Sequence, residues 1–361
     1  MTDAAPKPVP NVVAGQGARL GWWHRACHRL LLLGQADDAL PPPIVDAPPE
    51  IQALVRLLED HRSQFAGAAR TLGADYKGGY WMMYLFAPFA VIVSAAAIGF
   101  GHYGRLLSAV ELILVVLILV LYLAMRRGRW QEGWVRARRT AEHLRYLPLV
   151  APWVTDFRLN WFEQFAARHG TQIGVEEEIT VVCAWLGDGQ VPNGLNLRDP
   201  AFYAGYVQYV DDVLAQQVHY HTHKAALEQA LARRISLMST GFFGITIVCT
   251  ALLFLEALTT ALGLSRYLPS NYLRFLATGL PALGGGLRGL LAQGESHRVA
   301  ALSEGMANRL TQIRGQLKSI ASSAVPDDRL ENLVWTAVQE LLLEADTWMR
   351  LQESVPLSVG G

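Results

Sequence analysis

Charge is what this sequence has least of. Only 17% of its 361 residues are Asp, Glu, Lys or Arg, while 52% are hydrophobic. Soluble domains carry about 25% charged residues, so segments embedded in a membrane are expected. Net charge is missing too: 31 basic and 31 acidic side chains cancel to +0. No broad positive field exists to gather nucleic acid, and no nucleic-acid partner is expected. Cysteine is scarce. Cys27, Cys183 and Cys249 lack CxxC or metal-ligand spacing and read as reduced thiols, not as a disulfide framework. A cleavable leader is not expected either, because residues 1–17 are polar and the apolar run 30–33 is short.

Long apolar runs are what the sequence does have. The first covers residues 80–125 and is broken by the polar turn Gly101-His102-Tyr103-Gly104-Arg105. The second covers residues 235–291 and is broken by Ser265-Arg266-Tyr267-Leu268-Pro269-Ser270. Residues 106–125 carry Glu111 as their only charge. A helix rises about 1.5 Å per residue, so such a stretch crosses a hydrocarbon core of roughly 30 Å. The pattern predicts an all-α membrane protein: two transmembrane helical hairpins, about four spans, extended into a cytoplasmic helical bundle.

The expected organisation follows. Residues 1–49 form a disordered or interfacial segment and a Pro-rich linker. Trp22, Trp23 and the basic residues Arg25 and Arg29 within it suit either the headgroup layer or a short helix docked on the arms. Residues 50–152 form the first helix–hairpin–helix unit, with spans near 80–101 and 106–126. The basic helix after it runs from Trp130 to Leu147 and is stopped by Pro148 and Pro152. Residues 153–200 are a cytoplasmic insert in which 179–186 suits a buried strand or a short helix. Residues 201–320 form the second unit, with spans near 235–262 and 271–291. The last of these holds Pro281 and reads as broken or tilted. Residues 321–361 are a C-terminal helix and tail.

Arginines set the orientation. Arg126, Arg127 and Arg129 follow the second span, Arg233 and Arg234 precede the third, and Arg288 and Arg298 leave the fourth. The turns hold only Arg105, then Arg266 and Arg274. The expected location is the bacterial inner membrane, multi-pass, with both termini cytoplasmic.

Glu111 and Glu256 lie at span depth. An ionisable group there faces a bundle interior or water, so each is either a pore-lining carboxylate or the counter-charge of a turn arginine. Pro281, Gly284, Gly285 and Gly286 suit a gate hinge or a tight packing face. Trp134, Arg138, Glu142 and Arg145 recur near helical spacing. They suit a signal-coupling arm or a helix whose arginines meet anionic headgroups. His219, His221 and His223 alternate without a third strong ligand, so no metal is expected. Residues 284–289 follow no strand and contain no GK[ST], so they are not a phosphate loop. No catalytic set and no cofactor are expected, and the chain does not read as an enzyme.

Four groups of residues stand out: His61-Arg62-Ser63 with Tyr84-Leu85 and Ala90-Val91; Glu111 with Trp130, Trp134, Arg138 and Ala141-Glu142-His143-Leu144-Arg145; Gln217 with His219-Tyr220-His221; and Leu280-Pro281-Ala282-Leu283-Gly284 with Arg298 and Met306. Together they resemble the SLATT membrane proteins, two-transmembrane effectors associated with nucleotide-second-messenger synthases and SLOG-type sensors. Similar regions occur fused to ryanodine-receptor-like or SLOG sensor domains; no such domain is read in this chain. The resemblance implies a signal-gated, pore-forming effector in bacterial conflict or antiphage defence. A pore would need a homo-oligomer in the lipid bilayer, because one chain has too few helices to enclose it, and its partner would be a cytoplasmic sensor protein or nucleotide second messenger. The rival expectation is a non-conducting membrane anchor or scaffold.

The orientation is directly measurable. A reporter active only outside the inner membrane should be silent when fused at Gly361 and active when placed at His102. The opposite pattern would reverse the topology.

Overall fold

The computed structural model describes residues 21–31, 47–99, 101–154, 156–157, 161, 163–164, 177–187, 195–262, 270–321 and 328–354. Nine α-helices run through them: α1 (Gly21–Leu31), α2 (Pro49–Gly99), α3 (Gly104–Arg127), α4 (Trp130–Val150), α5 (Glu177–Gly187), α6 (Pro200–Ala261), α7 (Ser270–Gly294), α8 (Ser296–Ala321) and α9 (Asp328–Ser354). No strand occurs among the described residues. The stretch 179–186 is accordingly helical. Residues 32–46 of the Pro-rich linker and residues 263–269 around the second polar turn lie outside the described residues, while Pro49 opens α2 and Ser270 opens α7.

Four helices are long and apolar enough to cross a membrane: α2, α3, α6, and the stretch Asn271–Ile320 that includes α7. Their apolar side chains point outward. Ile98 is 85% exposed, Leu112 64%, Ile247 70% and Phe254 67%. A continuous apolar surface of this size is untenable in water and natural in lipid. This is a multi-pass membrane protein.

Two helices exceed any bilayer. With 51 and 62 residues, α2 and α6 are roughly 75 and 90 Å long. The sequence suggests a soluble helix followed by a span in each case, and the structure fuses the two. Pro88 does not interrupt α2, and Pro281 does not interrupt α7. The fourth apolar helix is therefore continuous. Pro148 does not end α4 either; the helix runs on to Val150. Leu147, Leu149 and Val150 are all buried, and their burial outweighs one lost backbone hydrogen bond near the helix end.

The chain builds the same unit twice. A long helix is followed by a return helix that breaks once and resumes along the lower half of the first. In the first unit α3 and α4 both pack on α2; in the second α7 and α8 both pack on α6. Each break carries a non-glycine residue with left-handed backbone, Arg129 at φ 46° and Glu295 at φ 49°. Each is closed by an (i, i+3) ion pair of opposite polarity, Arg129 with Glu132 and Glu295 with Arg298. In the apolar region α3 packs on α2, α2 on α7, and α7 on α6. The four lie in a row with α2 and α7 at its centre.

Two cores hold the rest. The lower core joins Leu54 of α2, Leu147 of α4, Tyr206 of α6, Leu310 of α8 and Trp335 of α9. Tyr206 donates its hydroxyl to the Leu149 carbonyl and stacks on Phe202. The upper core sits where the apolar helices begin and includes Trp81, Met125, Trp134, Ile235 and Leu291. A bidentate ion pair, Arg314 to Asp211 at 2.7 and 2.8 Å, ties α8 to α6.

Close approach at the centre of the row depends on glycine. A Cβ on Gly286 would lie 2.7 Å from Pro88 Cγ and from the Tyr84 carbonyl oxygen, whereas one on Gly285 meets nothing within 4 Å. Gly286→Leu should cost about 1–3 kcal/mol of stability in detergent by overpacking the α2–α7 seam. Gly285→Leu should leave the thermal unfolding curve unchanged.

Candidate functional site

A polar layer separates the two cores where α4, α6 and α9 meet. Its first part is the basic face of α4. Trp134 is buried and packs over Gly73 of α2, where a Cβ would stand 2.5 Å from the indole Nε1. Tyr76 packs on the same ring at 5.6 Å, and Lys77 Nζ lies 5.7 Å above it. One to three turns further on, Arg138, Glu142 and Arg145 turn into the layer. Glu142 Oε2 stands 3.7 Å from Arg145 Nη1.

The facing part is α6. Lys224 Nζ stands 3.1 Å from Glu228 Oε1, both side chains about 15% exposed. Gln217 and His221 are buried one turn apart. Gln217 Nε2 and His221 Nδ1 make no hydrogen bond to another described group. From α9, Glu344 completes the layer. Burial raises its carboxyl above the ordinary range, Arg138 and Lys224 pull it back, and Glu142 raises it further. Arg138, Arg145 and Lys224 thus share the layer with Glu142, Glu228 and Glu344, and the signs balance.

Two buried histidines, His221 in the layer and His143 packed on Trp161 of the lower core, are uncharged at neutral pH. Burial lowers His221 to about 4; Glu142 opposes this, and Arg138 and Arg145 add to it. Burial also lowers His143 to about 4, against the 2.9 Å contact of its Nδ1 with the Arg139 carbonyl. Together these groups form an electrostatic clasp. Breaking one partner of a buried charge set leaves the other uncompensated, at a cost of about 3 kcal/mol when burial is complete.

The structure thus brings the four coupling-arm residues onto one helix, with Arg138, Glu142 and Arg145 in a single charged layer. The three histidines separate: His221 turns into the layer, while His219 and His223 are exposed. Among the described residues no group of three or more His, Cys, Asp or Glu could hold a metal. Glu111 is half-buried on α3 and Glu256 is buried on α6. Those helices stand at opposite ends of the row, so the chain does not bring the two acids together. Thr259 and Thr260 donate their hydroxyls to the Glu256 backbone carbonyl. Pro281 and the three glycines lie inside α7. Gly284 abuts Phe243 and Ser239 of α6, and Gly286 abuts α2.

Sequence reasoning missed half of the layer. Lys224, Glu228 and Glu344 look like ordinary surface charges of amphipathic helices. A usable signal was the (i, i+4) Lys224–Glu228 pair, one turn beyond the His219-Tyr220-His221 run. A second polar bridge was also missed. Tyr84 donates to Gln293 Oε1 at 3.4 Å, and Gln293 Nε2 donates to the Tyr76 hydroxyl at 3.3 Å, stitching α7 to α2 at the upper core.

The histidines make stability depend on pH. Their folded values lie below the unfolded value of 6.5, so stability is full above pH 6.5. It falls as the pH drops toward 4, because only the unfolded chain takes up the protons. The loss is about 2 kcal/mol per histidine between pH 6.5 and 5. Denaturant unfolding of the His143→Gln/His221→Gln variant should show a correspondingly flatter pH dependence than the wild type. An unchanged slope would place both rings in contact with water.

Compared with known protein families, curated proteins and solved structures, the chain matches none.

Proposed function

We propose that the protein is a signal-gated membrane effector of the SLATT type, acting as an oligomeric pore in bacterial conflict or antiphage defence. The observation that supports this most is the continuity of α2 and α6. Each runs unbroken from the lower core into the apolar region, so a displacement in the bundle reaches the membrane without an intervening joint. In this reading α2–α3 and α6–α7 are the two transmembrane hairpins, and the lower helices are a cytoplasmic bundle with both termini on that side. A cytoplasmic sensor protein or a nucleotide second messenger shifts the arms. The clasp of Arg138, Glu142, Arg145, Lys224 and Glu344 holds them in register until then.

Four helices in a row enclose no aqueous path, so conduction requires several copies. The two ends of the row are α3 and α6. Glu111 lies seven residues into α3 and Glu256 five residues from the end of α6, roughly 10 and 8 Å from the outer helix ends. In a closed ring of head-to-tail subunits, Glu256 of one chain and Glu111 of the next stand at one depth, where carboxylates favour cations.

The test is cation flux from liposomes, measured alongside particle mass in nanodiscs. Glu111→Gln and Glu256→Gln should each cut flux several-fold while particles larger than a dimer persist. A monomer that still conducts would refute the ring. Normal assembly with no flux under any activating signal would favour the rival reading, a non-conducting scaffold that recruits cytoplasmic partners.

A further inference from the structure

The short helix α1 takes no part in the clasp or in the row, yet it is docked and two-faced. Trp23 and Cys27, four residues apart, pack against the upper core. Trp22, Arg25, Ala26 and Arg29 fall at i, i+3, i+4 and i+7 and are all exposed. Trp22 is 56% exposed and stands edge-on to Trp23, with ring centroids 5.6 Å apart. An exposed indole flanked by two guanidinium groups has no reason to face bulk water. Indoles favour the boundary between hydrocarbon and headgroups, and arginines there pair with phosphate.

The upper core lies where the four apolar helices begin. Its members include Met125, the last core residue of α3, and Ile235, just before the exposed apolar face of α6 starts at Leu237. Exposed arginines gather at this level: Arg126 and Arg127 beside Met125, Arg233 between Leu231 and Ile235, and Arg288 beside Leu287. Of the nearby acids, Glu132 pairs with Arg129, Glu295 pairs with Arg298, and Asp75 is buried. The outward field of this ring is therefore positive, and α1 adds two cations and an indole to it.

We infer that α1 is an interfacial lipid-binding element. Its Arg25 and Arg29 hold anionic phospholipid headgroups against the arginine ring, with Trp22 seated at the hydrocarbon boundary. This inference requires that the four apolar helices lie in a bilayer; it does not require that the protein conduct. Anionic lipid then becomes part of what sets the position of α1 against α2.

The test uses the full chain in nanodiscs of phosphatidylcholine with and without phosphatidylglycerol. Retained lipid is counted by native mass spectrometry. The wild type should retain phosphatidylglycerol in preference to phosphatidylcholine. Arg25→Gln/Arg29→Gln should weaken that retention by a factor of about five per arginine. Arg25→Lys/Arg29→Lys should keep most of it. Arg198→Gln, on the exposed residue two places before α6 and roughly 50 Å from the apolar segment, should change nothing. Free inorganic phosphate at matched ionic strength should not displace the lipid. Lipids brominated near the headgroup should quench wild-type fluorescence more than that of Trp22→Phe. Undiminished phosphatidylglycerol retention in the glutamine variant would overturn the inference. So would displacement by free phosphate, or equal quenching with and without Trp22.

Discussion

Hydrocarbon offers no partner to a backbone N–H or C=O, and this one constraint organises the molecule. Every peptide group at span depth must be satisfied within its own helix. Pro88 and Pro281 are tolerated because neighbouring helices pack closely around them, while the surrounding turns stay hydrogen-bonded. Once a helix is obliged to be continuous through the apolar region, extending it further costs little. Helices α2 and α6 do so, and their total lengths exceed twice the thickness of the bilayer core. The lower bundle is built from the ends of the same rods, so its packing and that of the membrane region are not independent.

Two kinds of contact then set how the rods lie. In the apolar region there is no hydrophobic gain from bringing helices together, because lipid is as apolar as leucine. Close fit decides, and Gly284, Gly286 and Gly289 let α7 settle between α6 and α2. Polar stitches add direction there. Ser239 donates to the Gly284 carbonyl at 3.0 Å, and Arg288 Nε donates to the Ser239 hydroxyl at 3.3 Å. In the bundle the hydrophobic effect returns, and large side chains such as Trp161, Trp335 and Tyr206 are fully buried. The charged layer lies between these two regimes. It adds little net stability, since desolvating paired ions costs nearly what their attraction returns. It sets charges from α4, α6 and α9 against one another.

The two left-handed breaks show how the return path is made. Arg129 and Glu295 each adopt a conformation that L-residues seldom take. The bend re-aims α4 and α8 along the lower halves of α2 and α6. In the (i, i+3) ion pairs that follow, both partners of the first and Arg298 of the second are exposed, so they contribute little energy. That the same device appears at equivalent points of both units is architectural evidence that the chain repeats one plan.

Much of this was legible in the residues. A run of about twenty apolar side chains can satisfy its backbone in lipid only as a helix, so residues 106–125 determine a span whatever surrounds them. Arginine placement and amphipathic spacing likewise act locally. The fusion of arm and span into α2 and α6 was not legible, because a change of composition at Lys77 or Arg234 looks the same whether the helix breaks there or not. The passage of α4 through Pro148 was equally hidden, since only burial of Leu147, Leu149 and Val150 outweighs the missing donor. Glu344 meets Arg138 and Lys224 across some two hundred and one hundred residues of chain respectively. No periodicity records which face of α9 will meet which face of α4. Local sequence determined where helices form and which segments enter lipid, because those preferences belong to each segment alone. Tertiary structure decided the order of the row, the bends and the partners in the clasp, because those depend on the fit of surfaces far apart in the chain.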